Sequence, residues 1–226
     1  MLELIQYFSK GDDYQNVLTA YRNGIKEQLI AGLNHSARTL FIASLFQDEP
    51  TSQFIVTHNL HQAQKLYDDL VEWVGEEHVY LYPVNELISS EIATASPELR
   101  GQRIQVLNQL MEGKRKIVIA PLAGVRRFLP PVEVWKKAQH QFTVGQDIHI
   151  EEMQTTLLYL GYERVEMIES QGEYSIRGGI IDIFPATEEN PIRIELFDTE
   201  VESIRYFDIG TQRSVQSLPK VTIGPQ

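Results

Sequence analysis

The sequence predicts an α/β domain with a mainly parallel sheet, followed by a smaller α+β domain with an antiparallel sheet. In the first half, short apolar runs alternate with amphipathic helical patterns, which is the order found in parallel sheets with connecting helices. Pro130-Pro131 interrupts this alternation. Beyond the prolines, apolar residues recur at every second position, as they do in strands that bury one face. These three observations decide the fold class.

Four apolar runs are the candidate strands of the first domain. They are rich in β-branched and aromatic residues, which is typical of strands buried on both faces. They are residues 27–31, 54–57, 79–82 and 116–120. Between them, residues 59–74 and 97–111 carry apolar side chains at steps of three and four residues, which predicts two amphipathic helices.

The second domain begins with one helical pattern and continues as strands. Residues 150–160 predict a helix that ends at Gly161, since glycine suits the left-handed backbone common at helix C-termini. The segments 174–184, 192–197 and 201–207 alternate with period two, which favours an antiparallel meander. A last alternation at 221–223 lies close to the end of the sequence, so we expect a truncated chain. The predicted domains are 1–130, 131–210 and a truncated third domain, 211–226.

The formal net charge of −11 is confined to one part of the chain. Residues 147–208 contain 15 acidic residues and four arginines, and the remainder is neutral. This division predicts two modules with different partners, and it argues against a grip of the acidic module on a nucleic-acid backbone. With no cysteine, no secretory signal pattern and no apolar run of the ~18 residues that a membrane helix needs, we expect a cytoplasmic protein without a membrane partner.

Residues 32–39, GLNHSART, stand where a P-loop would, after a predicted strand and at the start of a helical pattern. Gly32 and Thr39 agree with the G-x-x-x-x-G-K-[ST] pattern. Ala37 replaces the second glycine, and its Cβ restricts the backbone that wraps phosphates. Arg38 replaces the lysine with a bulkier, planar group. We therefore expect a degenerate, inactive P-loop and no bound cofactor.

No residues suggest catalysis or metal binding. A metal-holding strand of a nucleotide site ends in aspartate, whereas the predicted strands end in Thr57-His58, Tyr82-Pro83 and Ala120-Pro121. His58 and His61 are three residues apart, but a capping or solvated role is favoured over a metal pair. No spacing indicates a Ser/His/Asp arrangement. We expect neither catalytic nor metal-ligating residues.

Segments in both halves of the sequence resemble known repair proteins. Residues 24–39, GIKEQLIAGLNHSART, and 54–70, FIVTHNLHQAQKLYDDL, resemble the first domain of the excision-repair helicase UvrB. Residues 172–185, GEYSIRGGIIDIFP, with the segment 192–208 and QRS at 212–214, resemble the UvrB-homology module of the bacterial transcription-repair coupling factors, the Mfd family. The degenerate loop favours that family over UvrB, as does the absence of UvrB's aromatic hairpin from residues 82–98.

The resemblance implies a function. It assigns residues 1–130 to a UvrB-like, RecA-like domain 1A, residues 131–210 to a UvrA-docking domain 2, and residues 211–226 to the start of domain 1B. The fragment would be a non-catalytic UvrB mimic that recruits UvrA in transcription-coupled nucleotide excision repair. In the family, an ATP- and Mg-dependent DNA translocase motor lies elsewhere in the chain, and other domains contact RNA polymerase and DNA.

The resemblance also implies partner-binding residues. Arg164 and Arg177 match arginines in the UvrB stretches that contact UvrA, whereas Ser175 stands where UvrB has a further arginine. We add Phe184, because arginine and aromatic residues are frequent interface anchors. Two alternatives remain open for these residues. Arg177 could neutralise nearby acids, and Phe184 could belong to the core. For the other two arginines of the acidic segment, Arg193 and Arg205, pairing with strand-neighbour acids is the favoured interpretation.

Two other functions remain open at this point. One is an ATP-dependent UvrB-type helicase fragment, which measurable ATP binding at residues 32–39 would reveal. The other is a DNA-binding module that uses basic residues at 114–116, 126–127 and 136–137. A DNA affinity that falls steeply with salt would indicate it.

Overall fold

The computed structural model describes residues 2–84, 97–126 and 128–226. The chain divides into two compact units. The first comprises Met1–Glu86 and Val106–Arg127, and the second comprises Leu87–Gln105 and Phe128–Gln226. The division falls inside one helix. In the described part, no helix has the length and apolarity that crossing a membrane requires.

The first unit is mixed α/β. Its helices and strands are α1 (Leu2–Phe8), α2 (Asp12–Arg22), α3 (His35–Asp48), β1 (Gln53–Thr57), α4 (Leu60–Val74), β2 (Val79–Leu81), α5 (Pro97–Met111, which crosses the division), β3 (Ile117–Pro121) and α6 (Leu122–Val125). The three strands form a parallel sheet in the order β1-β3-β2. The predicted helices 59–74 and 97–111 are confirmed as α4 and α5. Three of the four predicted strands are confirmed.

One face of this sheet carries the larger core of the unit. Ile117 and Ile119 of β3 are buried there with Leu70 of α4 and Phe46 of α3. The central strand β3 is buried along its whole length, as predicted. The edge strand β1 differs from the prediction, because its side chains are alternately exposed and half-buried. An edge strand has a neighbour on one side only, so it receives less cover than a central one.

The predicted strand at 27–31 is wrong. Residues 25–34 form neither helix nor strand, and Leu29 is 96 % exposed. Helix α3 begins directly after this segment, where the side chain of Asn34 accepts a hydrogen bond from the backbone N–H of Ala37. An apolar run becomes a strand only when a neighbouring strand takes up its backbone hydrogen bonds. In the described sheet, β1 and β2 each pair with the central strand β3, and residues 27–31 pair with none of them.

The second unit contains the predicted meander. Its elements are α7 (Val132–Lys137), β4 (His140–Thr143), α8 (Ile150–Tyr159), β5 (Glu163–Arg164), β6 (Glu173–Arg177), β7 (Ile180–Ile183), β8 (Ile192–Phe197), β9 (Glu200–Phe207), β10 (Ser214–Leu218) and β11 (Lys220–Ile223). Six strands form a sheet in the order β10-β9-β8-β7-β6-β5, and β11 pairs with β4. Neighbouring strands from β6 to β10 are antiparallel, whereas β5 runs parallel to β6.

One face of the six-stranded sheet packs against helix α8. Met153 and Leu157 of the helix share a core with Tyr174, Ile181 and Ile194 of the strands. The helix ends as predicted, since Gly161 has a φ of 94°.

The predicted strand 174–184 is divided into β6 and β7, which form a hairpin. Gly178 lies in its turn with a φ of 60°. Residues 211–226, predicted to begin a third domain, contribute β10 and β11 to the sheets of the second unit. The assignment of the three domains stays a prediction.

Candidate partner-binding surface

The second face of the six-stranded sheet is polar, because apolar and polar residues alternate along its strands. Asp182 of β7 lies opposite Arg193 of β8, and Arg193 lies opposite Arg205 of β9. Ser175 of β6 completes this row across the sheet. A strand places successive side chains on opposite faces, so the isoleucines on either side of Asp182 point into the helix-covered core.

Asp182 is the centre of a buried ion cluster. Its side chain is 2 % exposed. Arg177 donates from Nη2 to Oδ2 over 2.8 Å, and Arg193 donates from Nε and Nη2 to the two carboxylate oxygens over 2.6 and 2.9 Å. The Arg193 guanidinium also lies 4.2 Å above the ring of Phe207. These four contacts, three with Asp182 and one with Phe207, hold the two arginines in fixed positions on this face.

A second ion pair lies beside the first. Arg205 donates to both carboxylate oxygens of Glu195, and Ser203 donates to the same carboxylate. These hydrogen bonds from Arg205 hold the pKa of Glu195 below its usual value. The contacts agree with the prediction that Arg193 and Arg205 pair with acids on neighbouring strands.

The Glu195 pair predicts a pH dependence of stability. Because the pKa of Glu195 is lower in the folded than in the unfolded chain, its contribution is present above pH 4.5 and is lost as the pH falls through the folded pKa. We expect the Glu195→Gln variant to lose less stability on acidification than the parent chain. Urea unfolding above and below pH 4.5 measures this, with Glu202→Gln on the exposed side of β9 as the control. Parallel pH curves for the parent and Glu195→Gln would contradict it.

An open hollow lies at the β5 end of the sheet. It has a volume of about 630 Å³, and residues of β5, of β6 and of the segment between them line it. The lining residues are Arg164, Val165, Glu166, Met167, Ser175, Ile176 and Arg177. Two of the three predicted partner-binding residues, Arg164 and Arg177, therefore lie on one concave surface. Arg177 keeps 45 % of its side chain exposed although it is bound to Asp182.

Phe184, the third predicted partner-binding residue, lies beneath the surface. Its side chain belongs to a small second core with Ile168 and Phe207, and the residue is 8 % exposed. Val165 and Ile209 pack against the same core. Phe184 thus packs against the segment that follows β5, which contains Val165 and Ile168, and does not line the hollow.

Sequence reasoning missed two features of this surface. Met167 and Glu166 line the hollow but lie in a segment that no pattern singled out. The central role of Asp182 was also missed. A usable signal was present, because an acid between two isoleucines on a predicted strand must face away from the apolar core.

Residues 32–39, predicted to be a degenerate P-loop, lie at the start of α3 in the first unit. Gly32 has a φ of 85°, and the buried Thr39 donates its hydroxyl to the backbone oxygen of His35. Arg38 and Thr39 line a cavity of about 310 Å³ together with His58 and with residues of β1 and α4, including Lys65. Since the predicted strand before this loop is absent, the strand-loop-helix order of a P-loop is not formed here.

No metal site is apparent in residues 2–84, 97–126 and 128–226, where no three His, Cys, Asp or Glu side chains are grouped closely enough to hold an ion. His58 and His61 therefore lack the further ligand that a metal pair would need within this part of the chain. The segment 82–98, in which the sequence lacks an aromatic hairpin, lies mostly outside the described residues.

Comparison with known proteins shows what the chain is similar to. A family model described as the UvrB interaction domain matches residues 141–226. The transcription-repair-coupling factor of Bacillus subtilis (strain 168) is 53% identical over 225 residues, which is 99% of this chain and 19% of that protein. The chain is therefore a homologue of part of the transcription-repair coupling factors. The corresponding protein of Staphylococcus aureus (strain MRSA252) is 43% identical over 200 residues, which is 88% of this chain and 17% of that protein.

The candidate surface lies within the segment that matches the UvrB interaction domain. The chain spans less than a fifth of the length of these coupling factors. The hollow and the ion clusters around Asp182 and Glu195 all lie within the 141–226 segment that matches the UvrB interaction domain.

Proposed function

We propose that this chain is a non-catalytic UvrB mimic that recruits UvrA during transcription-coupled nucleotide excision repair. The observation that carries the proposal is the hollow between Arg164 and Arg177, which lies in the segment matching the UvrB interaction domain. The hollow places two cations within residues 147–208, where acidic residues outnumber basic ones by 11. Such a local reversal of charge suits a protein partner with carboxylates at the matching positions.

The ion cluster around Asp182 fixes the position of the Arg177 side chain. One guanidinium nitrogen is bound to Asp182, so the side chain is held in place before a partner arrives. A guanidinium has five N–H donors, and those not used by Asp182 remain for a partner carboxylate. Prior positioning reduces the side-chain entropy that binding would otherwise cost, about 0.5–1.5 kcal/mol for each immobilised side chain.

The proposal assigns no catalysis to this chain. Ala37 and Arg38 replace the residues with which a P-loop holds phosphates, which supports an inactive site without ATP. In the complete coupling factor, the ATP- and Mg-dependent translocase motor and the contacts with RNA polymerase and DNA would lie in the other four-fifths of the protein.

Charge reversal in the hollow tests the proposal. We expect Arg164→Glu to lower the affinity for UvrA about tenfold or more, since an exposed interface arginine would then repel the partner's carboxylates. Arg177→Ala should weaken binding in the same direction. Isothermal titration calorimetry with purified UvrA measures both effects, and circular dichroism checks that each variant is folded.

The matched control is Arg213→Glu. Arg213 is exposed in the same unit but does not line the hollow, so the same change of charge there should leave the affinity nearly unchanged. If folded Arg164→Glu and Arg177→Ala variants bind UvrA as tightly as the parent chain, the hollow is not the docking surface.

A further inference from the structure

The edge of the six-stranded sheet is only partly covered at β6. Strand β5 has two residues, which pair with Glu173 and Tyr174. Strand β6 continues to Arg177 and pairs with β7 along that length. The last three residues of β6 therefore extend beyond the strand that lies at their side.

The pairing shows which backbone groups face this open edge. The N–H of Phe184 donates to the oxygen of Glu173, and the antiparallel alternation then turns Ser175 and Arg177 towards β7 as well. Tyr174 faces the opposite way, where its oxygen accepts a hydrogen bond from the N–H of Val165 over 2.9 Å. Ile176 is two residues further on, so its N–H and C=O face the same side as those of Tyr174.

Among the described residues, no backbone group forms a hydrogen bond with the N–H or the C=O of Ile176 on that side. Among the described residues, the segment after Val165 makes no backbone hydrogen bond to Ile176. The segment instead contacts the polar face of the sheet, where the Ser175 hydroxyl donates a hydrogen bond to the backbone oxygen of Glu166 over 2.8 Å. The space beside Ile176 is the hollow of about 630 Å³.

We propose that UvrA docks here by adding an extended segment along the open edge of β6. This inference rests on the function proposed above and specifies how the partner is held. The segment's backbone would bond to the N–H and C=O of Ile176, while its carboxylates face Arg164 and Arg177. In this mode of recognition, backbone hydrogen bonds give affinity and alternate side chains give specificity.

The charges around the edge favour such a partner over a second copy of this chain. Self-pairing along β6 would bring the arginines of two copies to one edge, and like charges placed close together are destabilising. A segment from another protein can present carboxylates to Arg164 and Arg177 and a basic residue to Glu166, which lines the same hollow.

Hydrogen exchange at the Ile176 amide tests this inference on the unmodified chain. We expect the Ile176 amide to exchange rapidly in the free chain and about a hundredfold more slowly with saturating UvrA, because an amide is protected only while it is hydrogen-bonded. Amide-resolved NMR of the isotopically labelled chain measures the rates. The Ser175 amide, which faces β7, is the internal control and should be protected in both states.

Each outcome has a distinct meaning. A complex in which exchange at Ile176 is unchanged would overturn strand addition and leave the proposed function intact. The absence of any complex would overturn the proposed function and this inference with it. Protection of Ile176 in the free chain that grows with protein concentration would identify a second copy as the occupant and also overturn the inference.

Discussion

Replacing Asp182 with alanine is expected to lower the free energy of unfolding of the second unit by about 3–5 kcal/mol. This is the usual cost of removing one partner of a buried ion pair and leaving the other charge in place. Asp182 is almost fully buried, and it is the acceptor for both Arg177 and Arg193. Arg177 can turn into water when the carboxylate is removed. Arg193 cannot, because its side chain is 12 % exposed and its guanidinium lies against the ring of Phe207. The variant would therefore keep an uncompensated charge inside the protein.

Urea unfolding monitored by circular dichroism measures this loss. Glu202→Ala is the control, since Glu202 is an exposed acid on β9 of the same sheet, and the expected change there is within about 0.5 kcal/mol. A double variant, Asp182→Leu with Arg193→Met, removes both charges and should recover much of the lost stability, because apolar residues of similar size often replace a buried ion pair without loss. An Asp182→Ala chain as stable as the parent would show that the cluster contributes little.

Much of the fold was predictable where a pattern is long and regular. Helices α4 and α5 and strands β8 and β9 follow apolar periodicities that extend over their whole length. The predicted strand 27–31 failed because periodicity records which side chains could be buried and not whether a neighbouring strand is present. The helices α1 and α2 and the strand β4 were not among the predicted elements.

The candidate site was predictable in part. Arg164 and Arg177 came from a resemblance, and the structure places them on one hollow. Their setting depends on cross-strand register, which joins Asp182 to Arg193 across 11 positions of sequence. The burial of Phe184 depends on residues still further away in sequence, since Ile168 precedes it, Phe207 follows it, and both pack against its ring. Sequence patterns do not report such contacts.

Replacing Phe184 with alanine is expected to destabilise the second unit by about 3–5 kcal/mol, the usual cost of truncating a buried phenylalanine. The ring packs with Ile168 and Phe207, and a smaller side chain would leave a cavity between them. Phe184→Leu keeps most of the volume and should cost less than about 1.5 kcal/mol. Urea unfolding gives both values. Phe197→Ala is the matched control, because Phe197 is 75 % exposed and its truncation removes little packing.

The leucine variant also separates a core role from an interface role. Because Phe184 does not line the hollow, folded Phe184→Leu should bind UvrA with an affinity within about twofold of the parent chain, as expected for a residue outside the interface. Arg164→Glu, measured in the same titration, should retain the stability of the parent and lose affinity. The two variants would then have separate effects, Phe184→Leu on stability alone and Arg164→Glu on binding alone. A Phe184→Leu chain that unfolds like the parent but fails to bind UvrA would place the ring at the interface, so that docking would have to open the small core beneath the hollow.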